Sequence, residues 1–154
     1  MNILFLDIDG VLRTHKSDLE WSDKLGQPIP FSVFDRNFSE KSVNNINEII
    51  AYTRAKIVIS STWKNKLSLK ELQDIFIKQG IHGDVIDKTT SLQGSRGEEI
   101  YEWIYIHEPS RYIVIDDQVE SILNYIPVEN VLKTDPSIGF EDYKFVDEVI
   151  NILL

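Results

Sequence analysis

Residues 3–12 read ILFLDIDGVL. Ile3–Leu6 is an unbroken apolar run, suited to a parallel strand buried on both faces. It delivers Asp7 and Asp9, spaced by one residue, followed by Gly10. In an extended segment residues two apart point the same way, so both carboxylates face one locus while Ile8 turns inward. Gly10 permits a tight turn and a close backbone approach there. Two carboxylates about 4 Å apart repel by roughly 4 kcal/mol at an effective dielectric of about 20. Such a pair takes up protons, takes up a cation, or belongs to a plain turn after a strand. An EF-hand start is excluded. The loop's sixth position is Leu12 instead of glycine, and its twelfth is Asp18 instead of glutamate.

Outward from this stretch the chain alternates strands and helices. Residues 13–38 read as an irregular flap or insert, with Gly26, Pro28 and Pro30 and little periodicity. Ser39 caps an expected helix to about Arg54, with Val43, Ile46, Ile49 and Ile50 on one face. KIVIS (56–60) is a second buried strand. Ser68 and Glu71 form a capping box for a helix that Gly80 ends. Asp84–Ile86 is a short third strand. Ser95 and Glu98 form another capping box, for a helix buried through Ile100, Trp103 and Ile104. RYIVI (111–115) is a fourth strand, a short helix covers about 118–125, and Asn130–Lys133 is a fifth strand. A last helix buries Val146, Val149, Ile150 and Leu153. This order predicts a single α/β domain over 1–154, a three-layer Rossmann-like sandwich. Its five-stranded, mostly parallel sheet carries helices on both faces. The functional crevice of such a sheet lies beyond the C-terminal strand ends.

Those ends carry chemistry. The first strand ends in Asp7-Ile-Asp9-Gly10, the second in Ser60-Ser61-Thr62, the fourth in Asp116-Asp117, and a helix start carries Arg96. Adding Asp116 and Asp117 to the first pair sharpens the demand for a cation. All-oxygen ligands without cysteine select a hard ion, Mg2+ before Ca2+ or Zn2+. Each piece has a plainer reading as well: a helix cap, a turn start, a solvated first-turn arginine.

In LDIDGVL, VISSTW, SRGEEI and VIDDQ the chain resembles the haloacid dehalogenase-like (HAD) hydrolase superfamily. VISSTWK with SRGEEIYEWI is similar to its small capless branch, which includes HAD domains of nucleic-acid repair proteins. The resemblance implies strand order 5-4-1-2-3 and a minimal cap or none. It implies a Mg2+-dependent phosphomonoester hydrolase with Asp7 as nucleophile, forming an aspartyl-phosphate, and Asp9 as general acid and then base. Ser61, or else Ser60, would hydrogen-bond the phosphoryl group. Arg96 would neutralise its charge. Asp116 would hold the ion with Asp7 and the Asp9 carbonyl, supported by Asp117. Backbone N–H groups after Asp7, through Gly10, would complete the cradle.

The net charge of −9 disfavours broad adhesion to nucleic acid or acidic membranes and makes cations necessary mediators for an anionic substrate. There is no cysteine, hence no disulfide and no thiolate metal site. No apolar run approaches the roughly 20 residues of a membrane helix. Without a basic leader the cytoplasm is the default. The short interval between Asp9 and Ser39 leaves no room for a large cap, so an open site suits a bulky phosphorylated substrate such as a nucleic-acid end, with small molecules still open. Trp63, Lys64 and Lys66, beside Ser61, either stack a base and grip a phosphate or are a buried tryptophan with solvated lysines, and Thr62 is a further substrate-binding candidate. Trp21, Phe31, Phe34 and Phe38 either form a flap or pack their loop onto the body. His15, His82 and His107 take no role. Two other readings stand beside the enzyme: a receiver-like phospho-acceptor module, and a degenerate HAD fold kept for binding.

Overall fold

A computed structural model describes residues 1–90 and 94–154 of the chain. Its centre is a five-stranded parallel sheet, with β1 (Asn2–Leu6) in the middle. On one side of β1 lie β2 (Lys56–Ile59) and β3 (Val85–Lys88); on the other lie β4 (Arg111–Asp116) and β5 (Val131–Lys133). The order 3-2-1-4-5 is the expected one read from the other edge, and every pairing is parallel.

Alternation along β1 divides the core. Leu4, Leu6 and Ile8 enter one apolar layer with α2 (Glu40–Thr53), α3 (Leu69–Lys78) and α5 (Lys144–Leu153). Ile3 and Phe5 enter the other, with Ile100 and Trp103 of α4 (Arg96–His107) and with Ile122 and Ile126. Burial on both faces explains why the strands read as continuous apolar runs.

The helix ends follow local chemistry. Ser39 and Ser68 cap α2 and α3, and Ser68 with Glu71 closes the full capping box. At Ser95 only half of the expected box forms: Ser95 Oγ accepts the Glu98 N–H, while Glu98 accepts the Tyr125 hydroxyl. The short helix expected over 118–125 is a single 3-10 turn, Ile122–Asn124.

The irregular reading of 13–38 is corrected by α1 (His15–Leu25). Thr14 and Ser17 cap it reciprocally, and Gly26, at φ 64°, ends it. This helix buries only Ser17 and Asp18, so it carries no apolar stripe to announce it. Phe34 and Phe38 pack edge-on or tilted against Trp63, while Phe31 is fully exposed at the tip. No helix among the described residues is long and apolar enough to cross a membrane.

Candidate active site

Parallel register brings the strand ends level. Leu6 pairs with Ile59 on one side and Ile115 on the other. The ladder continues one residue further, with the Asp7 N–H donating to Ile115 O at 3.1 Å and the Ser60 N–H to Leu6 O at 3.0 Å. Asp7, Ser60 and Asp116 therefore stand side by side at one edge of the sheet.

Three carboxylates converge there. Asp7, Asp116 and Asp117 each offer an oxygen, and these lie within 4.8 Å of one another. Asp7 and Asp116 are buried, 4% and 0% exposed. Arg96 reaches across from the first residue of α4, with Nη1 2.6 Å from Asp116 Oδ2 and 3.5 Å from Asp7 Oδ2. The Ile8 N–H donates to Asp7 Oδ1 at 2.9 Å and the Gln118 N–H to Asp116 Oδ1 at 3.0 Å. Burial, and then the charge of Asp116, pushes the Asp7 carboxyl well above the usual carboxylate range, against the pull of Arg96. Burial raises Asp116 as well, with Arg96 opposing. A close cation reverses these shifts, so a desolvated oxygen trio of this kind fits a hard divalent ion.

Gly10 fits tightly against that trio. Its φ is +84°, and a Cβ placed on it would lie 2.5 Å from Asp117 Cγ. Thr134, at the end of β5, staples the same loop: its Oγ1 donates to Gly10 O at 2.8 Å and its N–H to Asp116 O at 3.0 Å.

With this geometry in place, the sequence matches over residues 3–145 the family described as the HAD domain in Swiss Army Knife RNA repair proteins. The chain belongs to that family. It is thus a HAD domain of a hydrolase superfamily, with the matching α/β fold. Among solved structures it is similar to a haloacid dehalogenase-like family hydrolase from Streptococcus pneumoniae. That match has 14% identity and a TM-score of 0.48, and covers 99% of this chain and 90% of the other. No curated protein sequence matches the chain.

Within the HAD domain, Asp9 stands apart from the acidic trio. Its Oδ1 accepts Arg13 Nε at 2.6 Å and its Oδ2 accepts Trp63 Nε1 at 3.0 Å. Its carboxylate is turned to Arg13 and Trp63 and lies outside the trio, so a part for Asp9 in a metal site would come through its main chain. Ser61 caps the 3-10 turn Thr62–Asn65, its Oγ accepting the Trp63 N–H at 3.2 Å, which leaves the hydroxyl proton available to an acceptor. Ser60 Oγ is buried with no partner among the described residues. Thr62 is exposed.

Two expectations need correction. Trp63 is 2% exposed, packed against Phe34 and Phe38, so it has no free ring face for a base; its part in the site is the hydrogen bond to Asp9. Lys64 points into the protein, where Nζ meets Glu99 Oε1 at 2.8 Å and Thr89 Oγ1 at 3.0 Å. That buried pair ties the β2 end to the turn of α4 that presents Arg96. Arg13, Asp18, Glu99 and Thr134 escaped the sequence reading. Only Thr134, a hydroxyl directly after the VLK strand, carried a positional signal of the kind that picked out the others.

A cleft of about 340 Å³ lined by Arg96, Gln118, Glu120 and Ser121 opens beside the guanidinium. A separate cavity of about 530 Å³, between α3 and β3, includes none of the strand-end groups.

Proposed function

We propose that this HAD domain is a Mg2+-dependent phosphomonoester hydrolase that works through an aspartyl-phosphate on Asp7. The observation that carries this reading is Asp7 itself: a buried carboxylate at the end of the central strand, flanked by two more acids and faced by Arg96. Asp7, Asp116 and Asp117 would hold the ion, which supplies positive charge that lets the Asp7 carboxylate and an anionic phosphate approach. Asp7 attacks phosphorus and the ester P–O bond breaks. Asp9, its side chain 42% exposed and so open to a substrate, gives a proton to the departing oxygen. Water then attacks the aspartyl-phosphate, Asp9 takes the water's proton, and inorganic phosphate leaves with Asp7 restored. Arg96 and the Ser61 hydroxyl would meet the phosphoryl oxygens.

A phosphorylated end of a nucleic-acid strand is the substrate class we favour. Support comes from the RNA-repair context of the family and from the open cleft beside Arg96. Cations at the site, instead of the whole surface, would then manage the net charge of −9.

The wild-type chain should hydrolyse 4-nitrophenyl phosphate with Mg2+ and lose the activity in EDTA. Asp7→Asn should abolish it, by about 1,000-fold or more, given the barrier lowering expected of a covalent route. A panel of 3′- and 5′-phosphorylated oligonucleotides beside sugar phosphates and nucleotides then ranks substrates. Absence of hydrolysis by the wild type on every phosphomonoester would sink the proposal.

A further inference from the structure

The loop that follows Asp9 folds back on it. The N–H groups of Leu12 and Arg13 both donate to Ile8 O, at 2.8 and 3.0 Å, and the Gly10 N–H donates to Arg13 O at 2.8 Å. This return lays the Arg13 side chain beside the Asp9 carboxylate, Nε to Oδ1. Trp63 Nε1 holds the other oxygen from the far side of the site. Donors from two separate elements thus fix both the plane and the direction of one carboxylate.

Arg13 is held in turn. Its Nη1 donates to Asp18 Oδ2 at 2.6 Å, and Arg36 Nη1 donates to the same oxygen at 3.2 Å. Asp18 sits in the first turn of α1 with its side chain 2% exposed, and its Oδ1 is buried with no partner among the described residues. A buried carboxylate with an orphaned oxygen is costly in isolation. What it gains is the anchoring of two guanidinium groups. Arg13 is 13% exposed while Asp9 is 42% exposed, and its Nε and Nη1 are committed to Asp9 and Asp18, so the arginine acts through the acid.

We infer that Arg13 is a positioning residue for proton transfer, fixing the Asp9 carboxylate toward the leaving-group oxygen, with Asp18 as its anchor. This rests on the hydrolase reading above. A general acid works only within hydrogen-bond reach of the atom it protonates, and small misplacements are costly. The demand for it depends on the leaving group. A nitrophenolate departs without a proton, whereas a more basic phenolate or an alkoxide needs one. Loosening Asp9 therefore penalises poor leaving groups selectively, while general damage to the fold lowers all rates alike.

The test measures kcat/KM with Mg2+ on aryl phosphates running from 4-nitrophenyl to unsubstituted phenyl. Arg13→Gln should lose about tenfold or more on phenyl phosphate beyond its loss on the 4-nitrophenyl ester, steepening the dependence on leaving-group basicity. Arg13→Lys, which keeps the charge but not both bonds, should fall between. Thermal melts establish that each variant is folded. Should Arg13→Gln melt at assay temperature, Arg13→Lys and Asp18→Asn carry the test, with the same steepening expected at smaller size. Equal fractional losses along the series, or none, overturn the inference and leave the hydrolase reading intact. A wild type inactive along the whole series overturns both.

Discussion

Gly10→Ala separates two costs that the site imposes at one position. The first is conformational: φ is +84°, a left-handed region that costs an L-residue about 1–2 kcal/mol. The second is steric. The new Cβ would lie 2.5 Å from Asp117 Cγ and 2.6 Å from its Oδ2, so the Asp117 side chain must turn away, at about 0.5–1.5 kcal/mol if it leaves its rotamer. Gly26 supplies the control. Its φ is +64°, and a Cβ there meets nothing within 4 Å, so Gly26→Ala carries the conformational cost alone. In a domain of this size each kcal/mol lowers Tm by about 2–4 °C. Gly10→Ala should therefore melt roughly 3–14 °C below wild type, and Gly26→Ala about 2–8 °C below it. Function should divide the two more sharply. Displacing Asp117 from the acidic trio should raise the Mg2+ concentration for half-maximal hydrolysis by about tenfold or more, as loss of a supporting ligand does elsewhere. Gly26→Ala should leave it unchanged. Calorimetry and a Mg2+ titration of aryl phosphatase activity read both effects. Equal melting losses for the two variants, with no change in Mg2+ dependence, would refute the close packing of Gly10 on Asp117.

Two further outcomes concern the frame around the site. Glu99→Leu leaves the Lys64 ammonium buried with the neutral Thr89 hydroxyl and Thr90 carbonyl as its remaining partners among the described residues. It should lose about 3–5 kcal/mol in urea denaturation, and Lys64→Met added to it should recover part of that; a single variant as mild as the double would contradict the ion-pair account. At Glu141 burial opposes ionisation, but hydrogen bonds from Lys16 Nζ at 2.5 Å and Ser39 Oγ at 2.6 Å outweigh it and hold the carboxyl below its usual range. Its stabilisation is thus present above the unfolded value of about 4.3 and lost as pH falls through the lower folded value, so Glu141→Gln should flatten the acid limb of stability; parallel limbs from pH 3 to 7 would rule this out.

What the sequence made legible were features with a short-range physical signature. Apolar runs such as ILFL and YIVI suit strands buried on both faces, and strand-end acids declare themselves by breaking such runs. Period two placed Asp7 and Asp9 on one side, and the structure adds that their carboxylates part company. Asp7 joins Asp116 and Asp117, while Asp9 is drawn to Arg13 and Trp63. That divergence follows from the tight return at Ile8–Arg13, which extended-strand geometry does not describe. α1 was illegible because its buried residues are Ser17 and Asp18, so hydrophobic periodicity had nothing to report. Lys64 misled for a related reason: a lysine beside Ser61 looks solvated until Glu99, distant in sequence, is folded against it.

The charges at the strand ends explain why these parts belong together. Three carboxylates face one guanidinium, and Arg96 is already committed to Asp116 at 2.6 Å. With every group ionised the site is net negative and repels a phosphate; with Asp7 protonated, as its burial favours, the repulsion eases but the nucleophile of the proposed reaction is lost. Neither protonation state alone serves phosphoryl transfer. A divalent cation held by the trio would ease both difficulties of the proposed reaction, restoring the Asp7 carboxylate and offsetting its repulsion of the substrate. In the proposed reaction Asp9 has a different task, giving up and taking back a proton in each turnover. Keeping its carboxylate outside the trio, and orienting it with Arg13 and Trp63, would separate proton transfer from the ion that the proposed Asp7 step needs. Two acids one residue apart can then hold opposite duties because the backbone turn between them sends each to its own set of partners.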